Sequence, residues 1–118
     1  MKKFLLLFFL LPIGVNAENC IDIETLDCEG LPIVCKDKKS RLVNGVVCSK
    51  YPNGKTAAIV PLKNGKMNGV QKMYDENGHI EAEATLKDGL MDGISKTYDA
   101  NGKVVSEEHW KNNVRLTN

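Results

Sequence analysis

The chain has 118 residues, with 16 basic and 15 acidic side chains and a formal net charge of +1. That length suits one small domain. The near balance of charge excludes the strong positive field of a nucleic-acid binder. It also lacks the basic cluster that holds lipid headgroups, so a membrane surface ranks below another protein as a partner.

The first residues are not read as domain. Met1, Lys2 and Lys3 make a positive start, Phe4 to Leu11 is unbroken apolar sequence, and Pro12 precedes the small-residue site Val15-Asn16-Ala17. That order is a secretory signal peptide over residues 1–17. The apolar run is short for a membrane span, which needs ~20 residues; an uncleaved anchor is the competing reading. Cleavage after Ala17 leaves 118 − 17 = 101 residues and removes Lys2 and Lys3, so the charge becomes +1 − 2 = −1. Export places the chain in a bacterial periplasm or outside the cell.

Residues 18–43 form a cysteine-bearing N-terminal segment. Cys20, Cys28 and Cys35 lie in it and Cys48 lies just beyond. An even cysteine number in an exported chain points to two disulfides, of which three pairings are possible. No C-x-x-C pair occurs and His79 and His109 are remote, so zinc is not expected. Glu29 to Pro32 reads as turn material and Lys36 to Lys39 as a solvated turn.

Residues 44–118 repeat one phrase with a period of 24: YPNGK…LKNGKMNG, YDENGH…LKDGLMDG, YDANGK…WKNN. A fixed period of this size marks a repeat architecture. Gly54, Gly78 and Gly102 share one phase, Gly65 and Gly89 a second with Asn113 in the third copy, and Gly45, Gly69 and Gly93 another. Asn-Gly and Asp-Gly favour two-residue type I′ hairpin turns, in which both central residues have φ > 0. The dipeptides at 53–54, 64–65, 77–78, 88–89 and 101–102 therefore predict an all-β, open antiparallel meander of hairpins. Strands are expected over 45–52, 55–63, 66–76, 79–87, 90–100 and 103–111, with a stub after Val114. The alternation I-E-A-E-A-T-L from Ile80 to Leu86 has strand period.

The turns also set a register. Gly45 should face Leu62, Gly69 should face Leu86 and Gly93 should face Trp110, so that a large side chain covers each bare strand position. Lys72 should face Glu83, Lys96 should face Glu107 and Cys48 should face Ile59. Across the other turns Leu62 should face Met67, and Leu86 should face Met91. One face then carries Val60, Leu62, Met67, Met73, Ile80, Ala82, Ala84, Leu86, Met91, Val104 and Trp110. The other carries Val70, Tyr74, Ile94, Tyr98 and Val105 among the Lys–Glu pairs. A single layer leaves the first face bare unless the N-terminal segment or a partner covers it.

The phrases NGK…LKNGKMNG, NGH…LKDGLMDG and NGK…WKNN, with Tyr51, Tyr74 and Tyr98, resemble the bacterial variant of the MORN repeat. The resemblance covers about residues 44–116; Tyr51 stands one place out of phase, and the third copy is truncated. It implies a curved meander of 24-residue MORN-like hairpins that acts as a binding scaffold, with no shared catalytic activity and no cofactor. It also implies two further roles: antitoxin or immunity protein binding a toxin directly, and membrane association.

No nucleophile, base and stabiliser converge in the sequence, so no catalytic residue is expected. His109, beside Glu107 and Glu108, is placed opposite Ile94 with no evident partner, and Glu81 and Glu83 read as a charged sheet face. The function expected is a non-enzymatic protein-binding or envelope-scaffold module. Tyr74, Tyr98, Ile94 and Trp110 are the candidate binding residues, since aromatic side chains are enriched in binding hot spots. An open meander also leaves edge strands able to accept a partner strand.

Overall fold

The computed structural model describes residues 20–117. The expected signal peptide lies outside them. Among the described residues there are eleven strands: β1 (Ile21–Asp22), β2 (Asp27–Glu29), β3 (Val34–Lys36), β4 (Gly45–Lys50), β5 (Thr56–Lys63), β6 (Lys66–Met67), β7 (Gly69–Tyr74), β8 (Ile80–Lys87), β9 (Leu90–Tyr98), β10 (Val104–Lys111) and β11 (Val114–Leu116). A 3-10 turn, Ile23–Thr25, follows β1. The main sheet runs β1-β4-β5-β7-β8-β9-β10-β11, with β6 also on β5, and β2 and β3 form a separate hairpin. The fold is thus a meander of hairpins, with a disulfide-bearing segment before it.

The mid-hairpin pairs are those the repeat predicts. Gly45 pairs with Leu62, Gly69 with Leu86 and Gly93 with Trp110. Lys72 pairs with Glu83, Lys96 with Glu107, Cys48 with Ile59, Leu62 with Met67 and Leu86 with Met91.

The turns alternate between two kinds, although their Asn-Gly and Asp-Gly dipeptides predict one. At 64–65, 88–89 and 112–113 both central residues have positive φ: +52° and +82°, +51° and +86°, +49° and +69°. These are the expected two-residue turns. At 53–54, 77–78 and 101–102 only the glycine is in the left-handed region. There the Gly78 N–H donates to the Asp75 carbonyl at 3.0 Å and the Asp75 N–H to the His79 carbonyl at 2.8 Å, and the other two loops repeat the pattern. This is a three-residue loop, a type I turn closed by a left-handed glycine. The Asp75 carboxylate fixes it, accepting the N–H groups of Asn77 (2.8 Å) and His79 (2.9 Å), and Asp99 does the same for Asn101 and Lys103.

A three-residue loop displaces the pairs beside it by one residue. Tyr74 consequently pairs with Ile80 and Tyr98 with Val104, and a bulge restores the expected register further along each hairpin. Paired residues share a sheet face. Ile80 and Val104 thus join the tyrosines instead of lying on the opposite face, and the strands end one or two residues earlier than the repeat predicts.

The third glycine series also has a second cause. Gly69 and Gly93 have φ of +121° and +124°. Beyond Leu62–Met67 and Leu86–Met91, the return strand carries two residues more than its partner. Each glycine sits in that irregularity, and a Cβ there would lie 2.9 Å from Pro61 or 3.0 Å from Thr85. Close approach and positive φ, as well as the large cross-strand neighbour, exclude a side chain.

The N-terminal segment covers one end of the sheet. Cys20 is bonded to Cys48 and Cys28 to Cys35. The first bridge holds β1 parallel to β4, and the second crosses the β2–β3 hairpin at a paired position. The Cys35 N–H donates to the Gly65 carbonyl at 2.7 Å, and the Gly65 N–H donates to the Val43 carbonyl at 2.8 Å. A Cβ on Gly65 would come within 2.8 Å of the Cys35 oxygen, and one on Gly89 within 2.6 Å of the Pro32 Cβ. The segment therefore rests on two successive two-residue turns. Beneath it Cys35, Val43, Val47 and Leu62 are buried, with Ile21, Leu26, Val60 and Met67 packed around them.

Candidate binding surface

Alternation along the strands gives the rest of the sheet two unlike faces. On one face a charged row, Lys72–Glu83–Lys96–Glu107, crosses β7 to β10. Beside it the row Ile94–His109–Leu116 crosses β9 to β11. Ile94 is exposed, and Leu116 and the bulged Val105 are 51% and 61% exposed. The Tyr98 hydroxyl donates to Glu83 Oε1 at 2.7 Å on this face. That bond, followed by desolvation and the Glu83 charge, raises the Tyr98 pKa above its ordinary value. Glu83 thus takes a tyrosine as hydrogen-bond partner although its register neighbours are lysines.

The other face carries Trp110, whose indole N–H donates to the Ser95 hydroxyl at 3.0 Å. Thr97 and Ser106 share a 2.7 Å hydrogen bond, and Arg115 donates to Glu108 at 2.8 Å. Small polar pairs therefore tie this end together where aliphatic side chains do so at the other end.

The four candidate binding residues divide accordingly. Ile94 and Tyr98 lie on the charged face, and Trp110 lies on the opposite one. Tyr74 is joined to the first repeat, since its carbonyl accepts the Tyr51 hydroxyl. Tyr51 occupies the loop position that Asp75 and Asp99 hold in later copies, which explains its offset. In that first loop Asn53 replaces the missing carboxylate, accepting the Lys55 N–H at 2.9 Å.

His109 corrects one expectation. It faces Ile94, but its Nε2 lies 3.4 Å from Glu107 Oε2, two residues along the same face. His79 is likewise 3.4 Å from Asp75. The charged run Lys36 to Lys39 leads into a closed loop in which the Asp37 carboxylate accepts the Lys39 and Arg41 N–H groups and the Arg41 guanidinium. Among the described residues no group of three or more His, Cys, Asp or Glu is placed to hold a metal, and no helix is long and apolar enough to cross a membrane.

The apolar exposure at the end of the sheet was not singled out from the sequence. Val105, Val114 and Leu116 carry most of it, with Val114 62% exposed. A signal was present: the third copy continues as V-R-L-T after its turn, where earlier copies have K-M-N-G or L-M-D-G.

The family description "MORN repeat variant" matches residues 67–88 and 91–112. Each matched stretch starts at a methionine whose carbonyl accepts an N–H from the turn that ends it: Met67 from Gly89 and Met91 from Asn113, both at 2.8 Å. Val43 and Gly65 make the same bond 24 residues earlier, so this closure recurs one period further toward the N-terminus, outside the matched residues. No curated protein matches the chain. One solved structure, described as accessory secretory protein 1, 2 and 3 in Streptococcus pneumoniae, is similar over 82% of this chain at 13% identity, with a TM-score of 0.45. The match spans 19% of that chain's length.

Proposed function

We propose that this chain is an exported, non-enzymatic MORN-repeat module that binds another protein, as an envelope scaffold. The observation that carries this reading is the distribution of exposed apolar side chains. Ile94, Val105, Val114 and Leu116 gather on the last two hairpins, on the sheet face opposite the one that the N-terminal segment covers at the other end. Apolar groups rimmed by polar ones mark interaction surfaces. The Lys–Glu row beside them supplies that rim and would set the register of a partner. Two disulfides fit an oxidising compartment.

A photo-crosslinking side chain at Val105, introduced into the full chain in its native envelope, tests the proposal. One discrete heteromeric adduct is expected. Absence of any adduct at Val105 and at Leu116 overturns it.

A further inference from the structure

We infer that the groove between the disulfide hairpin and the sheet is a binding site for a small uncharged amphiphile, an apolar body bearing one neutral hydrogen-bonding group. The hairpin β2–β3 does not close completely on the face below it. Ser49 and Ala58 pair across β4 and β5, and these two small side chains leave space beneath Ile33. The resulting groove has a volume of about 260 Å3. That exceeds the ~150 Å3 in which an apolar cavity already binds benzene.

The lining chemistry defines the occupant. Val60, Leu62 and other aliphatic side chains form most of the wall, and no charged side chain lines it. A charged ligand would lose hydration there with no counter-charge to replace it. Two polar side chains, Ser49 and Gln71, reach the groove. Among the described residues neither side chain is engaged in a hydrogen bond within the protein. They are therefore free to meet one hydroxyl or amide of a guest, while the aliphatic wall takes its apolar body. This is the usual division of labour in small-molecule sites, an apolar lining with a few placed polar groups. Both disulfides contribute to the walls, so the groove depends on the oxidised chain.

The site is independent of the proposed partner surface, which lies on the opposite sheet face. The test uses 1-octanol, octanoate and octylammonium, titrated into the oxidised full chain with methyl groups observed by NMR. Saturable shifts at Val60 and Leu62 are expected with octanol. Octanoate should bind about tenfold more weakly or worse, because its charge is buried unpaired. Ala58→Leu fills the floor and should lower octanol affinity by about tenfold or more. If that variant fails to fold, Gln71→Glu, which keeps the side chain's shape, should reverse the order so that octylammonium binds more tightly than octanol. The inference is overturned if octanol gives no saturable shifts, if its shifts fall on Ile94 and Val105, if folded Ala58→Leu binds octanol as tightly as the unaltered chain, or if Gln71→Glu leaves octanol bound more tightly than octylammonium.

Discussion

The two ends of this sheet are built from the same phrase and finished differently. At the N-terminal end, hairpin β4–β5 is covered: Val47 is 2% exposed and Leu62 7% exposed, under a segment fixed by two disulfides. At the C-terminal end, hairpin β9–β10 has the same glycine–large pair, but Trp110, the counterpart of Leu62 on that face, is only half-buried. The repeat specifies the backbone at both ends. What differs is whether a second layer is supplied by the chain itself. A small single-layer domain buries too little apolar surface to be robust unaided, so stability is expected to concentrate where the second layer is.

The disulfides give the largest break in that comparison. Replacing Cys20 and Cys48 by Ala should cost about 2–5 kcal/mol, because the closed loop is long and the unfolded chain regains its freedom. Replacing Cys28 and Cys35 should cost roughly 1 kcal/mol less on loop length alone, their separation being 7 residues against 28. Denaturant unfolding of the two double variants checks the order.

Side-chain truncation sharpens the contrast between the ends. Leu62→Ala should destabilise by about 2–4 kcal/mol through lost transfer energy and a cavity. Ile94→Ala, on the open face, should cost under about 1 kcal/mol. Equal effects in thermal melts would remove the distinction.

Glycine substitution separates covered turns from free ones. Gly89→Ala places a methyl 2.6 Å from the Pro32 Cβ as well as in the left-handed region, and should cost about 2–4 kcal/mol. Gly102→Ala has open space around it and should cost about 1 kcal/mol, the conformational penalty alone. Melting temperatures of the two variants read this difference.

Acid should act more weakly, and through the loops. Backbone N–H donation, from His79 to Asp75 and from Arg41 to Asp37, holds both carboxyls below the ordinary value of 3.8. A lowered folded-state pKa adds stability that is present above that value and lost as pH falls through the folded pKa. The melting temperature should therefore decline below about pH 4, and less steeply in Asp75→Asn, whose amide oxygen still accepts the two N–H groups. Tyr98 acts at the other extreme. Its raised pKa gives stability that is present below about pH 10 and lost above it.

Much of this architecture is legible in the sequence because each repeat marks its register twice, by the turn dipeptide and by the glycine opposite Leu62, Leu86 or Trp110. The wide loops were misread because Asn77-Gly78 resembles Asn64-Gly65 when taken alone. The distinguishing residue is Asp75, two positions before the asparagine, where its carboxylate can cap a longer loop; Lys63 stands close to the narrow turn and offers no such acceptor. Asn68-Gly69 and Asp92-Gly93 were passed over as turn dipeptides, yet they are where the return strand gains its extra residues. The disulfide pairing was not legible, since four cysteines admit three pairings, and the segment that bears them has no repeat to fix its register. Division of Tyr98 and Trp110 between opposite faces, with Val105 beside Tyr98, followed from alternation, whereas the move of Val104 to the tyrosine face depends on a bulge that alternation does not predict.

Amide hydrogen exchange, resolved by residue on the oxidised and the reduced chain, tests the account most directly. If the N-terminal segment is the second layer, reduction should accelerate exchange in β4, β5 and β6 and leave β9 and β10 at their former rates. Equal acceleration along the whole sheet, or none in β4 and β5, would contradict it.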